Sequence, residues 1–182
     1  MRIFLRMFLA LLSITCASRA PAVVMTPLEI AELTDRAQVV VLGTVLSKTC
    51  VRDDTGRIFT RVELQVSEVW KGSVASKVLS VVHGGGTLGE RQSVVSGQVD
   101  YAIGEEVAGF FVLNQRGEAV TIGLAQGKFR VWKDARTGEK LAANPFHGHA
   151  PGALQQQGLA SAGASAGLTL TQLKQRVQGT TR

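Results

Sequence analysis

The chain has 182 residues, with 45% hydrophobic and only 19% charged side chains. That length accommodates one domain of ordinary size with a real core, and that composition excludes wholesale disorder. The formal charge of +6 sits at the ends: Arg2, Arg6 and Arg19 near the start, Lys174, Arg176 and Arg182 near the finish, and 14 basic against 14 acidic residues between positions 23 and 140.

Residues 1–22 have the pattern of a secretory signal peptide. Arg2 and Arg6 supply the positive start, residues 7–16 form an apolar run of ten, and Ala20-Pro21-Ala22 offers an A-x-A cleavage site. Ten apolar residues are about half of what a membrane-crossing helix needs, so no membrane anchor is expected after cleavage. A lipoprotein reading would make Cys16 the modified residue, but Ser13-Ile14-Thr15 is a poor lipobox. The mature chain would begin at Val23 and be periplasmic or extracellular. Cys16 would leave with the signal, so Cys50 would remain alone with no internal disulfide to form. As a small apolar residue at a strand end Cys50 needs no chemical role.

The mature domain, expected over residues 23–141, opens with a short helix. Thr26 is placed as N-cap, Pro27 at the first helical position and Glu29 in a capping box, with Met25 and Ile30 as a hydrophobic staple; Ile30, Leu33 and Ala37 share a face. The periodicity then becomes extended. Val39-Val40-Val41-Leu42 is continuously apolar, the mark of a strand buried on both faces, and Gly43 suggests a bulge. Asp53-Asp54-Thr55-Gly56 is a turn, and residues 57–70 alternate, with Ile58, Val62, Leu64 and Val66 on one face and Arg61, Glu63, Gln65 and Ser67 on a solvated one. Residues 78–82 supply a third strand. A glycine-rich loop over 84–97 holds one short strand at 92–95, and residues 107–113, 119–124 and 128–132 read as three more.

About six short strands after a single helix point to an all-β domain, and long, bulged early strands favour an OB-like barrel over a flat sandwich. Residues 142–168 lack any Asp, Glu, Lys or Arg and are rich in Ala, Gly, Gln and Ser, the composition of a flexible linker. Thr169 and Gln172 form a second capping box, opening a short C-terminal helix over 169–178 whose Leu170, Leu173 and Val177 lie on one face. Such a helix is too short to persist alone, so it docks on the barrel, docks on a partner or frays. With the barrel closing by residue 141, a chain ending at Ala142 is expected to melt as cooperatively as the whole.

Several motifs invite an enzyme reading. His83-Gly84-Gly85-Gly86 and Gly163-Ala164-Ser165-Ala166-Gly167 match the oxyanion loop and nucleophile elbow of α/β-hydrolases, but that mechanism requires an acid and a His after the serine, and the last of each are Glu139 and His149. Gly84-x-Gly86-x-x-Gly89 lacks the following helix that would hold a pyrophosphate. Residues 123–128 resemble a P-loop with one spacer residue too few and Phe129 where Ser or Thr is needed. His147-Gly148-His149 offers two imidazoles with no nearby third ligand, so it reads as a solvent-exposed loop pair; no metal and no cofactor are expected. Nucleic-acid binding needs a basic groove interleaved with stacking aromatics, which a neutral core does not supply.

Other strings carry a resemblance. Ala37-Gln38-Val39-Val40-Val41-Leu42-Gly43, Val66-Ser67-Glu68-Val69-Trp70-Lys71-Gly72 and His83-Gly84-Gly85-Gly86 resemble a group of small exported bacterial proteins of unassigned function. Ile103-Gly104-Glu105-Glu106-Val107-Ala108-Gly109-Phe110-Phe111 and Gly123-Leu124-Ala125-Gln126-Gly127-Lys128-Phe129 extend the likeness over about half the chain. That resemblance implies a neighbourhood of secreted matrixin-like metalloproteases and carries no catalytic residue. The first half is also similar to the netrin/TIMP type of OB barrel, with a Gly-containing bend in the first strand and a Lys-Gly turn after the second. Inhibitors of that type chelate zinc through an N-terminal, disulfide-held cysteine that this mature chain lacks, so the likeness implies architecture more than activity.

These readings converge on a non-enzymatic, exported, protein-binding β-barrel, a partner or regulator of a co-secreted protease, with its partner an envelope or secreted protein. The binding-loop candidates are His83, Gly84, Gly85, Gly86, Arg91 and Tyr101, because long loops on rigid barrels often carry recognition. The competing expectation is a small periplasmic enzyme whose His83, Cys50, Asp100 or Glu105 meet only in three dimensions.

Overall fold

The computed structural model describes residues 26–148 and 167–180. The expected export signal, Met25 and most of the expected linker lie outside the described residues. Helix α1 (Ile30–Arg36) is followed by β1 (Val39–Arg52), β2 (Ile58–Lys71), β3 (Val78–Gly84), β4 (Gly86–Leu88), β5 (Arg91–Ser93), β6 (Glu106–Leu113), β7 (Ala119–Thr121), β8 (Lys128–Lys133), β9 (Lys140–Ala143) and helix α2 (Leu170–Thr180). Seven strands form one sheet in the order β1-β2-β3-β7-β6-β8-β9, and β1 also pairs with β6. Strands β1, β2, β3, β7 and β6 therefore make a partly closed ring, which β8 and β9 extend outward. Every pairing in the sheet is antiparallel except β3 with β7.

The apolar run in β1 is explained by what covers it. Val39, Val41 and Val45 point into the ring with Val62, Leu64, Val81, Val107 and Phe111. Val40 and Leu42 point the other way, into a second core with Phe110, Phe129, Trp70 and the buried faces of both helices. Strand β6 repeats this division: Val107 and Phe111 face inward, Ala108 and Phe110 outward. The register shifts between Leu42 and Gly43 as expected for a bulge, and a Cβ on Gly43 would stand 2.6 Å from the Gln65 carbonyl oxygen, so no larger residue fits there.

Several expectations need correction. Helix α1 begins at Ile30 with Glu29 as N-cap and no side-chain cap bond, rather than at Pro27 behind Thr26. Thr26 and Leu28 are held instead by the Gln126 side chain: its Oε1 accepts the Leu28 N–H at 2.7 Å and its Nε2 donates to the Thr26 carbonyl at 3.2 Å. The expected strand at 92–95 is part of a hairpin, β4 with β5, that ends at Ser93. Strand β7 stops at Thr121, because Gly123 and Leu124 both adopt positive φ and lead into a short 3-10 turn over Leu124–Gly127. Strand β9 was not expected; it crosses the boundary placed at residue 141, and Ala142, Ala143 and Asn144 are all buried.

Helix α2 docks on the sheet. Its capping box forms as expected, with Gln172 N–H donating to Thr169 Oγ1 and Thr169 N–H donating to Gln172 Oε1, both at 3.1 Å. Leu173 and Val177 are completely buried in the second core, with the helix lying against α1, β2 and β9, and Leu168 joins them. Ala142 N–H donates to the Leu168 carbonyl at 2.8 Å, and Lys174 Nζ reaches Glu68 Oε2 at 2.6 Å. Burial of two such aliphatic side chains contributes about 3–6 kcal/mol, comparable with the whole net stability of a small domain. The packing thus reverses the expectation for a chain ending at Ala142. Leu173→Ala should cost about 2–5 kcal/mol in urea-induced unfolding, and a chain ending at Ala142 should lose more; an unchanged midpoint for both would show that α2 is not part of the core.

Candidate functional site

The register across β1, β2 and β3 places Cys50 opposite Thr60, and Thr60 opposite His83. Laterally paired residues project to the same face of a sheet, so these three line one end of the ring interior. Thr60 Oγ1 lies 3.4 Å from Cys50 Sγ and donates to the Gly85 carbonyl at 2.8 Å. The hairpin β4–β5 is laid directly over this row. Gly86 has φ 135°, and a Cβ there would come within 2.6 Å of both Cys50 Sγ and Thr60 Oγ1. The Gly84-Gly85-Gly86 run thus lets the chain turn back across the ring end at contact distance from Cys50 and Thr60.

His83 sits beside Tyr101, their ring centroids 6.2 Å apart. Its Nδ1 is 3.0 Å from the Gly84 carbonyl, which can only accept, so the neutral ring carries its proton on Nδ1 and leaves Nε2 as a lone pair. That Nε2 is buried without a hydrogen-bond partner among the described residues. Burial, assisted by the nearby Lys48 charge, holds the imidazole pKa below its ordinary value. Tyr101 is fully buried, its hydroxyl 2.7 Å from Thr121 Oγ1, and burial pushes its pKa well above the usual phenol range.

Around this pair the charges are matched. Lys48 pairs with Asp100, and Lys128 Nζ bridges Glu105 Oε2 at 2.6 Å and the Asp100 carbonyl at 2.5 Å while lying 4.9 Å over the Tyr101 ring. The Lys48 hydrogen bond holds the Asp100 carboxyl below the usual carboxylate range. Among the described residues Cys50, His83, Asp100 and Glu105 make no hydrogen bond to one another: Thr60 stands between Cys50 and His83, and lysines occupy both carboxylates.

The ring is weakest where β3 meets β7, a single parallel bridge between Val81 and Ala119. Beyond it no further bridge forms, and an open groove of about 830 Å³ is lined by residues of both strands. Val82, His83 and Gly84 form one wall, Val120, Thr121 and Leu124 the other, and the turns at residues 53–59 and 114–118 form the ends. On its rim Arg57 pairs with Asp53 at 2.9 Å, and Glu118 accepts from Arg61 at 2.9 Å and from Asn114 at 3.0 Å. The Asn114 and Arg61 hydrogen bonds hold the Glu118 carboxyl below its ordinary range.

Of the residues singled out from sequence, His83, Gly84 and Gly85 line this groove, while Gly86 is turned against Cys50. Arg91 is exposed at the start of β5. Tyr101 is 1% exposed and cannot be a contact residue; its role is to fill the ring beside His83. His147, expected in a solvent-exposed loop pair, is built into the fold, with Nε2 2.8 Å from the Leu28 carbonyl and its ring 6.1 Å from that of Phe129. His149 lies outside the described residues. Sequence reasoning missed Val120, Leu124 and Arg116; only the non-glycine Leu124 following Gly123 in a tight turn could have marked that wall as unusual.

No protein-family model matches the chain, and no curated protein matches it.

Two outcomes follow from this geometry. An unfolded His83 titrates near 6.5 and the folded one lower. The unfolded chain therefore binds a proton that the folded chain refuses, so this contribution to stability is complete above about pH 6.5 and is lost as pH falls towards the folded value. His83→Gln should flatten that slope, and an imidazole seen by NMR to titrate at or above the ordinary value would contradict the assignment. Gly86→Ala should destabilise the protein by about 1–3 kcal/mol in chemical denaturation, since both its φ and its contact with Cys50 and Thr60 forbid a side chain; no loss would mean the hairpin is not held against that row.

Proposed function

We propose that this is an exported, non-catalytic barrel of OB type that recognises a protein of the cell envelope or the secreted fraction, with a co-secreted metalloprotease the first candidate. The five-membered, partly open ring supports the OB reading, and so does the position of the groove, since such barrels bind along their second and third strands between the turns that here fall at residues 53–56 and 114–117. The observation that carries the binding reading is that groove, an opening beside the single β3–β7 bridge lined by apolar Val82, Val120 and Leu124 together with charged side chains of the two turns.

Its charge favours protein over nucleic acid. Its lining holds equal numbers of basic and acidic side chains, Arg57 and Arg116 with Asp53 and Glu118, and Phe59, already covered by Arg61 at 5.9 Å, is the one aromatic ring other than His83 in it. A single-stranded nucleic acid needs a basic track and free stacking faces. The engagement of Asp100 and Glu105 by lysines, and the separation of Cys50 from His83 by Thr60, support the non-catalytic side of the reading.

A photo-crosslinking residue placed at Val120 in the producing cells, followed by mass spectrometry, should recover one reproducible protein partner. Recovery of none, with the protein shown to be present and folded, would sink the proposal.

A further inference from the structure

The hydrogen bonds of β2 with β3 show which backbone groups face the groove. Val66 N–H donates to the Lys77 carbonyl at 2.8 Å and Gly85 N–H to the Ile58 carbonyl at 3.2 Å. In an antiparallel pair the bonded positions alternate, so the odd residues of β3 bond towards β2 while Ser80, Val82 and Gly84 turn their amides and carbonyls to the opposite edge. By the same argument the bond from Ile122 N–H to the Phe110 carbonyl at 3.0 Å turns the main-chain groups of Ala119 and Thr121 away from β6 and towards β3. The bridge at Val81 and Ala119 is the one pairing formed between these edges. Past it the ladder does not continue: His83 and Thr121 form no bridge, although both strands remain extended.

Two strand edges thus face each other across a groove with their hydrogen-bonding groups aimed inward. We infer that the groove takes an extended peptide segment of the partner, which pairs along the edge of β3 beyond its single bridge, at the Val82 carbonyl and at Gly84. An added strand supplies the ladder that the β3 edge lacks past that bridge, and its alternate side chains meet Val82, Val120 and Leu124. The segment carries an acidic residue at the end nearest the 114–118 turn. Asp53, Arg57 and Glu118 on the rim are already paired, and Arg116 is the rim charge with no ion pair among the described residues. This inference rests on the protein-binding reading and specifies how the partner is held.

Panning a displayed heptapeptide library against the full chain tests it. The enriched sequences should alternate apolar residues and share an acidic position. N-methylation of the selected peptide at alternate residues should weaken binding at least about tenfold in one parity and leave it unchanged in the other, because only every second amide of an added strand faces β3. Arg116→Glu, in an exposed turn, should weaken the same peptide and be rescued when its acidic residue is changed to Lys. Equal effects of methylation in both parities, or capture of a short oligothymidylate in the groove in preference to peptide, would overturn the inference. If cross-linking recovers a protein partner whose contacts all lie outside the groove, strand addition fails while the protein-binding reading stands; if neither peptide nor partner is recovered, both fail.

Discussion

Everything in this molecule depends on the burial of β1 on both faces. Residues 39–42 alternate between two cores, one inside the ring and one beneath the helices, and β6 beside them does the same. A strand in that position cannot slip by one residue without exchanging its two faces, so register is set from both sides at once. The helices are consequences of this arrangement. Without α1 and α2, Val40, Leu42, Phe110 and Phe129 would form an exposed apolar patch, and α2 is too short to hold its shape without that surface to lie on.

The same geometry explains why the ring opens where it does. Strands β1, β2 and β6 are long and joined by extended ladders, whereas β7 has three residues before Gly123 and Leu124 turn the chain away from the sheet. That turn serves a different part of the fold. Gln126, positioned by it, clamps Thr26 and Leu28 with its carboxamide, and its own carbonyl accepts from Asn144 at 2.5 Å. Holding Thr26 and Leu28 through this turn therefore accompanies the end of the β3–β7 ladder. The positive φ of Leu124, an uncommon conformation for a residue with a side chain, lies at the groove wall where the two demands meet.

Much of the fold was legible in the residues themselves. The unbroken apolar run of β1, the alternation of β2 and the capping box of α2 each reflect a local rule that the tertiary structure leaves in force. The misses have particular causes. The capping pattern at Thr26 and Glu29 is a sound local signal, overridden because Gln126, nearly a hundred positions away, takes up the main-chain groups of that segment. Strand β9 was hidden because Lys140-Leu141-Ala142-Ala143 has no alternation of its own and is extended only by pairing with β8. Tyr101 looked like a loop aromatic available for contact, and nothing nearby in sequence reveals that Thr121 awaits its hydroxyl inside the ring.

By itself the sequence determined that this is a neutral, single-domain β protein with basic ends, because composition and short-range periodicity are properties of neighbouring residues. It also determined that a helix with an apolar stripe closes the described chain. Only the tertiary structure decided that this helix is core, that Cys50 and His83 share a row with Thr60 between them, and that two strand edges face each other across an open groove. Those are relations between residues tens of positions apart, set by register, bulges and the early end of one short strand, and no local pattern encodes them.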